Sequence, residues 1–131
     1  MVEEHEKPPR VQPRLKSAPK VRQLYWCDFP KDAQLPEFWK RRPVIILSFR
    51  NTLFGTVVVV PCSSLQDQDP RKATLLKTTI DGRIGWAICD KPTTVAISRL
   101  VPDKSGIPRL PEEEFNEVLK MVLDWLPRPS T

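Results

Sequence analysis

Apolar residues recur along the chain in short runs punctuated by proline, glycine and charge. Two runs stand out. Val44-Ile45-Ile46-Leu47 is entered through Lys40-Arg41-Arg42-Pro43, and Thr56-Val57-Val58-Val59-Val60 stops at Pro61-Cys62-Ser63-Ser64. Short β-branched runs bounded by turn residues predict buried strands, here over 43–49 and 56–61. The aromatic segment Gln23 to Phe29, ended by Pro30, predicts a strand before them. Further strands are expected at about 73–79, 85–90 and 93–100, with Asp81-Gly82 as a turn. Residues 30–41 read as a long connection carrying the aromatic pair Phe38 and Trp39. Residues 50–55 read as a turn or short loop and 65–72 as an exposed polar loop.

The last pattern has a different period. Phe115, Val118, Leu119, Val122, Leu123 and Leu126 recur at helical spacing, with Glu117, Lys120 and Asp124 on the opposite side. This predicts an amphipathic helix. Pro111 suits its first turn, Glu112-Glu113-Glu114 complement the positive end of its dipole, and Pro127 ends it. Several short strands and one terminal helix predict a mainly β (α+β) domain: a small barrel or strongly twisted sheet with the helix packed on it.

Composition narrows this further. One domain of 131 residues is large enough to fold without metals or disulfides. Residues 1–20 are charged and proline-rich with scarcely any apolar residue, so a disordered extension is expected there and a folded domain over 21–131. No apolar stretch approaches the roughly 20 residues of a membrane helix, and no apolar signal core stands at the N-terminus. A soluble, cytoplasmic protein without a membrane partner is the expectation. Cys27, Cys62 and Cys89 are odd in number and widely spaced, which fits reduced thiols. The net charge of +5 is compatible with a polyanionic partner without demanding one.

Much chemistry is excluded. The chain has no glycine-rich phosphate loop, no GxSxG and no metal-ligand cluster, and its one histidine, His5, lies in the tail. No metal and no cofactor are expected. Catalysis would have to run on Arg, Lys, Ser, Thr, Asp, Tyr or a thiol. RNA cleavage can do so, because the substrate's 2′-hydroxyl is the nucleophile and the protein need only orient it and stabilise charge. Arg42 suits that task through its planar, permanently charged fork, and Ser63 or Ser64 can add a donor. Asp90 could accept a proton or hold the arginine. Each is equally open to a plainer reading: Arg41 and Arg42 as a solvated strand start, Ser63-Ser64 and Asp90 as turn residues, and Trp26, Trp39 and Trp86 as core or interface residues.

The order of these segments is informative. Leu24-Tyr25-Trp26-Cys27-Asp28 is followed by Arg42-Pro43-Val44, then Val58-Val59-Val60-Pro61-Cys62-Ser63-Ser64, then Cys89-Asp90-Lys91-Pro92-Thr93-Thr94-Val95, and the terminal helix closes the series. Over about residues 21–127 this resembles the PemK/MazF toxins. That family's pattern is an aromatic first strand, RPV, VVP-x-T-S and CDQ-x-RTV, closed by a helix. The resemblance implies an SH3-like β-barrel of the PemK/MazF/CcdB type with a C-terminal helix. It implies the toxin of a bacterial type II toxin–antitoxin system: a cytoplasmic, RNA- and DNA-binding homodimer inhibited by a cognate antitoxin. The implied activity is metal-independent cleavage of single-stranded RNA or mRNA through a 2′,3′-cyclic phosphate. Carried over by motif, the catalytic residues would be Arg42, Ser63 (threonine in the family pattern) and Asp90, with Lys40, Arg41, Ser64, Lys91 and Thr93 contacting RNA. The chain departs from the pattern at Ile88 and Thr93, where the family often has arginine, and at Lys91, where it has glutamine. The 31–39 connection is also unlike the family's glycine-rich one. The alternative is a catalytically weak or inactive barrel that binds RNA or protein.

Overall fold

The computed structural model describes residues 6–130. Seven strands form one antiparallel sheet. They are β1 (Leu24–Asp28), β2 (Arg41–Ile46), β3 (Thr56–Ser63), β4 (Ala73–Leu75), β5 (Trp86–Ile88), β6 (Thr93–Ala96) and β7 (Leu100–Val101), followed by helix α1 (Glu112–Asp124). The order is β4-β5-β3-β2-β1-β7, with β6 also paired to β3. The mostly β class with one C-terminal helix is as expected from the sequence, but the ladder is open: no pairing among the described residues closes it into a barrel.

The continuous apolar runs are explained by burial on both faces. Period-two alternation sends Ile45 and Val60 into a core shared with Leu24, Leu110, Phe115 and Val118 beneath α1. It sends Val44, Ile46, Val57 and Val59 into a second core with Tyr25, Phe29, Val95 and Leu100. Strand β3 serves two ladders. Thr56–Val59 pairs with β6, and Cys62–Ser63 pairs with β5.

Three expected strands are shorter than their patterns. The 73–79 segment leaves the ladder after Leu75 because its donors are taken elsewhere. Glu114 of α1 accepts the Lys77 and Thr78 N–H groups at 2.7 and 3.0 Å and the Thr78 hydroxyl at 2.9 Å. The 85–90 segment stops at Ile88, where Lys91 N–H turns back to the Ile88 carbonyl. The 93–100 stretch breaks at a 3-10 turn, Ile97–Arg99, in which Ile97 N–H donates to the Gly55 carbonyl. The Asp81-Gly82 turn is present, with both residues at positive φ as a type I′ hairpin requires. Glu114→Ala is expected to lower stability by about 1–2 kcal/mol by leaving three donors unanswered, and Glu114→Gln to recover part of it, as read by urea unfolding.

Helix α1 begins at Glu112 with Pro111 as its cap and ends two residues before the predicted Leu126. Only Phe115, Val118 and Val122 of its apolar stripe are buried; Leu123 and Leu126 remain 43% and 48% exposed. Part of the tail predicted as disordered, residues 1–5, lies outside the described residues. Within 6–20, Leu15 sits in the second core, Arg14 reaches Asp28 and the Pro19 carbonyl accepts from Asn51. All three cysteines are buried and unpaired, and burial pushes Cys27 and Cys89 up to about 12, so the thiols are inert in the fold.

Asp103 accepts hydrogen bonds from the Ser105 hydroxyl and, at 3.0 Å, from the Trp26 indole. These, the serine first, hold its pKa at about 2. A carboxylate depressed on folding stabilises above its unfolded pKa, and that contribution disappears as pH falls through the folded value. Asp103→Asn is therefore expected to be less stable than wild type at pH 7. The gap should close as pH falls from about 4 to about 2, measured by denaturant unfolding across that range.

Candidate active site

Two prolines shape the site. Pro43 in β2 and Pro61 in β3 have no N–H to give to a ladder, and the β2–β3 pairing ends at Val44↔Pro61. Beyond that point β3 turns to β5 and a cleft of about 160 Å3 opens. It is lined by Lys40, Arg41, Arg42, Ser63, Ser64 and Thr78, among others. Continuing the register by two residues places Arg42 opposite Ser63. Alternation puts both on the face of Val44, Ile46, Val57 and Val59. Gly85 passes close behind: a Cβ there would lie 3.4 Å from the Ser63 carbonyl.

The basic residues are held in different ways. Arg41, opposite Asp28 across β1 and β2, donates to that carboxylate at 2.6 and 3.1 Å, and Arg14 adds a third contact at 2.9 Å. These bonds, Arg41's first, lower the Asp28 pKa, and Arg41's is raised in turn. Arg42 has no carboxylate partner among the described residues. Its Nε donates to the Trp39 carbonyl at 3.1 Å and its guanidinium lies 4.9 Å from the Phe38 ring centroid. Burial lowers its pKa from the ordinary arginine value, as an unpaired, partly desolvated cation must show. Ser63 is buried, its hydroxyl accepting the Leu65 N–H at 3.2 Å. Lys40 stands 5.5 Å from the Trp39 ring centroid.

Beside the cleft is a second, larger hollow of about 860 Å3, lined by Phe29, Asp32, Phe38, Lys91, Thr93 and Arg99 among others. Ligand sites commonly occupy roughly 300–1,000 Å3, so the hollow has room for a nucleotide and the cleft alone does not. Lys91 lies 5.4 Å from the same Phe38 centroid that carries Arg42, so a residue of the cleft and a residue of the hollow share that ring. Thr93 shares the face of Val95, the same core face as Arg42. Asp90 lines neither depression, and its Oδ1 is buried without a hydrogen-bond partner among the described residues.

Of the residues singled out from sequence, Arg42, Ser63, Ser64, Lys40 and Arg41 share one cleft, and Lys91 and Thr93 line the adjoining hollow. Asp90 stands apart. Sequence reasoning missed Phe38 as the shared contact of Arg42 and Lys91, and Thr78 and Arg83 in the cleft wall. Proximity to Arg42 in the chain was the one signal pointing to Phe38. The described residues hold no cluster of His, Cys, Asp and Glu fit for a metal, and no helix is long and apolar enough to cross a membrane.

The fold is similar to solved structures. One is MazF from Deinococcus radiodurans, at 22% identity and TM-score 0.69, covering 83% of this chain and 96% of that one. Another is an endoribonuclease in complex with its cognate antitoxin from Mycobacterial species. It is 20% identical with TM-score 0.63, covering 86% of this chain and all of that one. A search of curated proteins gave no significant match. The model of one sequence family spans the strands, both depressions and α1, matching residues 20–126, and the chain belongs to that family: the PemK-like, MazF-like toxins of type II toxin–antitoxin systems.

Proposed function

We propose that the chain is the toxin of a type II toxin–antitoxin pair and acts as a metal-independent endoribonuclease on single-stranded RNA. The observation that carries this reading is Arg42. It is a partly buried guanidinium without a carboxylate partner among the described residues, lining the cleft with Ser63 and touching Phe38 of a hollow with room for a nucleotide. In the proposed reaction the 2′-hydroxyl attacks the adjacent phosphorus and the P–O5′ bond breaks. The products are a 2′,3′-cyclic phosphate and a 5′-hydroxyl, the proton passing from the 2′-oxygen to the leaving 5′-oxygen. Arg42 would stabilise the extra charge on the phosphorane oxygens, and Ser63 would donate a hydrogen bond to it. Lys40, Arg41, Ser64, Lys91 and Thr93 would track the strand. DNA could bind the same charges, but with no 2′-hydroxyl it would be held uncut. A cognate antitoxin as inhibitor, a homodimer and a bacterial cytoplasmic location complete the proposal.

One observation favours the second reading, a barrel that binds RNA or protein without cutting. The Asp90 carboxyl lies off both depressions, and Ile88 and Thr93 supply no guanidinium. Cleavage of a long transcript in EDTA separates the two. Fragments ending in cyclic phosphate and 5′-hydroxyl support the nuclease. Salt-sensitive gel shifts of intact RNA, with no fragments, overturn it in favour of the binding barrel.

A further inference from the structure

The connection between β1 and β2 contains an aromatic side chain placed between core and site. Phe38 is half-buried and packs against the buried Phe29, with ring centroids 5.8 Å apart and planes tilted by 36°. Phe29 belongs to the second core, so Phe38 is anchored although it lies in a loop. Two cations rest on this one ring, the Arg42 guanidinium at 4.9 Å and the Lys91 ammonium at 5.4 Å. Like charges sharing one ring repel. The ring's negative face offsets part of that repulsion, and its bulk displaces water from Arg42. Trp39 occupies Nε through its carbonyl, which leaves the two Nη groups for another partner.

We propose that Phe38 is the positioning residue of the site: anchored by Phe29, it fixes the guanidinium of Arg42 and draws Lys91 beside it, so that both cations meet one phosphate chain. This rests on the nuclease reading for its catalytic consequence, though not for the geometry. A leucine would keep the apolar contact with Phe29 and remove the aromatic face, whereas a tyrosine keeps both.

The test compares full-length wild type, Phe38→Leu, Phe38→Met, Phe38→Tyr, Arg42→Ala and the Phe38→Leu/Arg42→Ala double variant on a long unstructured transcript in EDTA. In single turnover, Phe38→Leu is expected to lose about 10²-fold in maximal rate, as slight misplacement of a reacting group does. The protein concentration at half-saturation should shift less than about threefold, since binding is shared among several cations. Phe38→Tyr should restore most of the rate. Added guanidinium chloride should rescue Arg42→Ala but not the double variant, which lacks the ring that would seat it. Independently, nitrogen-15 NMR of the Arg42 Nε–H should show slow exchange with water in wild type and Phe38→Tyr and fast exchange in Phe38→Leu. Phe38→Met serves the same comparisons if the leucine variant does not fold. A wild-type rate for Phe38→Leu, a tyrosine variant as impaired as leucine, equal guanidinium rescue in both backgrounds, or unchanged Nε–H exchange would each overturn the proposal. If wild type and Arg42→Ala cleave equally, or neither cleaves, it is the nuclease reading that fails. The exchange measurement then still decides whether Phe38 holds Arg42.

Discussion

Arg42→Ala should lower RNA cleavage by about 10²–10³-fold, the usual loss when a donor aimed at developing charge is removed, while hardly moving the unfolding midpoint. The two halves of that expectation have separate causes. The side chain lies on the Phe38 ring and donates one hydrogen bond to the Trp39 carbonyl. A partly exposed cation–aromatic contact is worth only about 0.5–1 kcal/mol, and the Ala variant is relieved of a half-desolvated charge. Stability is thus nearly balanced. Catalysis is not, because Arg42 is the β2 arginine on the Ser63 face, whereas its neighbour Arg41 is tied to Asp28. Arg42→Lys should recover only part of the activity, since an ammonium cannot present two parallel donors to a phosphate. Single-turnover rates beside a thermal melt test both halves. An alanine variant cutting at the wild-type rate would remove Arg42 from the chemistry.

Phe115→Ala is the largest expected effect on stability, about 3–5 kcal/mol. Phe115 is buried on the inner face of α1, in the core that also holds Leu24 and Ile45 from neighbouring strands, Val60 from β3 and Leu110. Its removal leaves a void lined by four elements that cannot all close on it at once. Against a typical domain stability of about 5–15 kcal/mol this is a large share. Leu123→Ala, next in the chain to the buried Val122 but 43% exposed, should cost about 0.5 kcal/mol or less. Urea unfolding of the two variants, with equal m-values, measures the contrast. Similar losses at both positions would mean that the exposed end of α1 is covered by something in solution.

How much of this was legible in the sequence varied with the physics involved. The strands at 24–28, 41–46 and 56–63 each carry a short β-branched or aromatic run, and their pattern placed them within a few residues. The shortened strands could not be read, because what ends them is remote: Glu114 is 36 positions from Thr78, and no local pattern shows that it takes that residue's N–H. The helical stripe located α1, but period alone did not reveal that the sheet runs out beneath Leu123 and Leu126. In the site, motif order brought Arg42 and Ser63 forward, and both line the cleft. The same order put Asp90 with them, although Asp90, in a turn, lines neither depression. Phe38 was passed over because its part depends on Phe29 and Lys91, which only the fold brings near.

The carboxylate of Asp28 has a consequence for how a polyanion experiences this surface. Adjacent arginines in the basic triplet Lys40-Arg41-Arg42 suggest two ionic contacts, each displacing one condensed counterion from a nucleic acid backbone. Asp28 already neutralises Arg41, and shares itself with Arg14 as well. An incoming phosphate chain competes with Asp28 for Arg41, so the net release from Arg41 is smaller than from Arg42. Each true contact with a single strand steepens the dependence of log K on log salt by about 0.7. In counterion terms the Arg41-Arg42 pair therefore counts as fewer than two arginines, and one acidic residue on a neighbouring strand lowers that number.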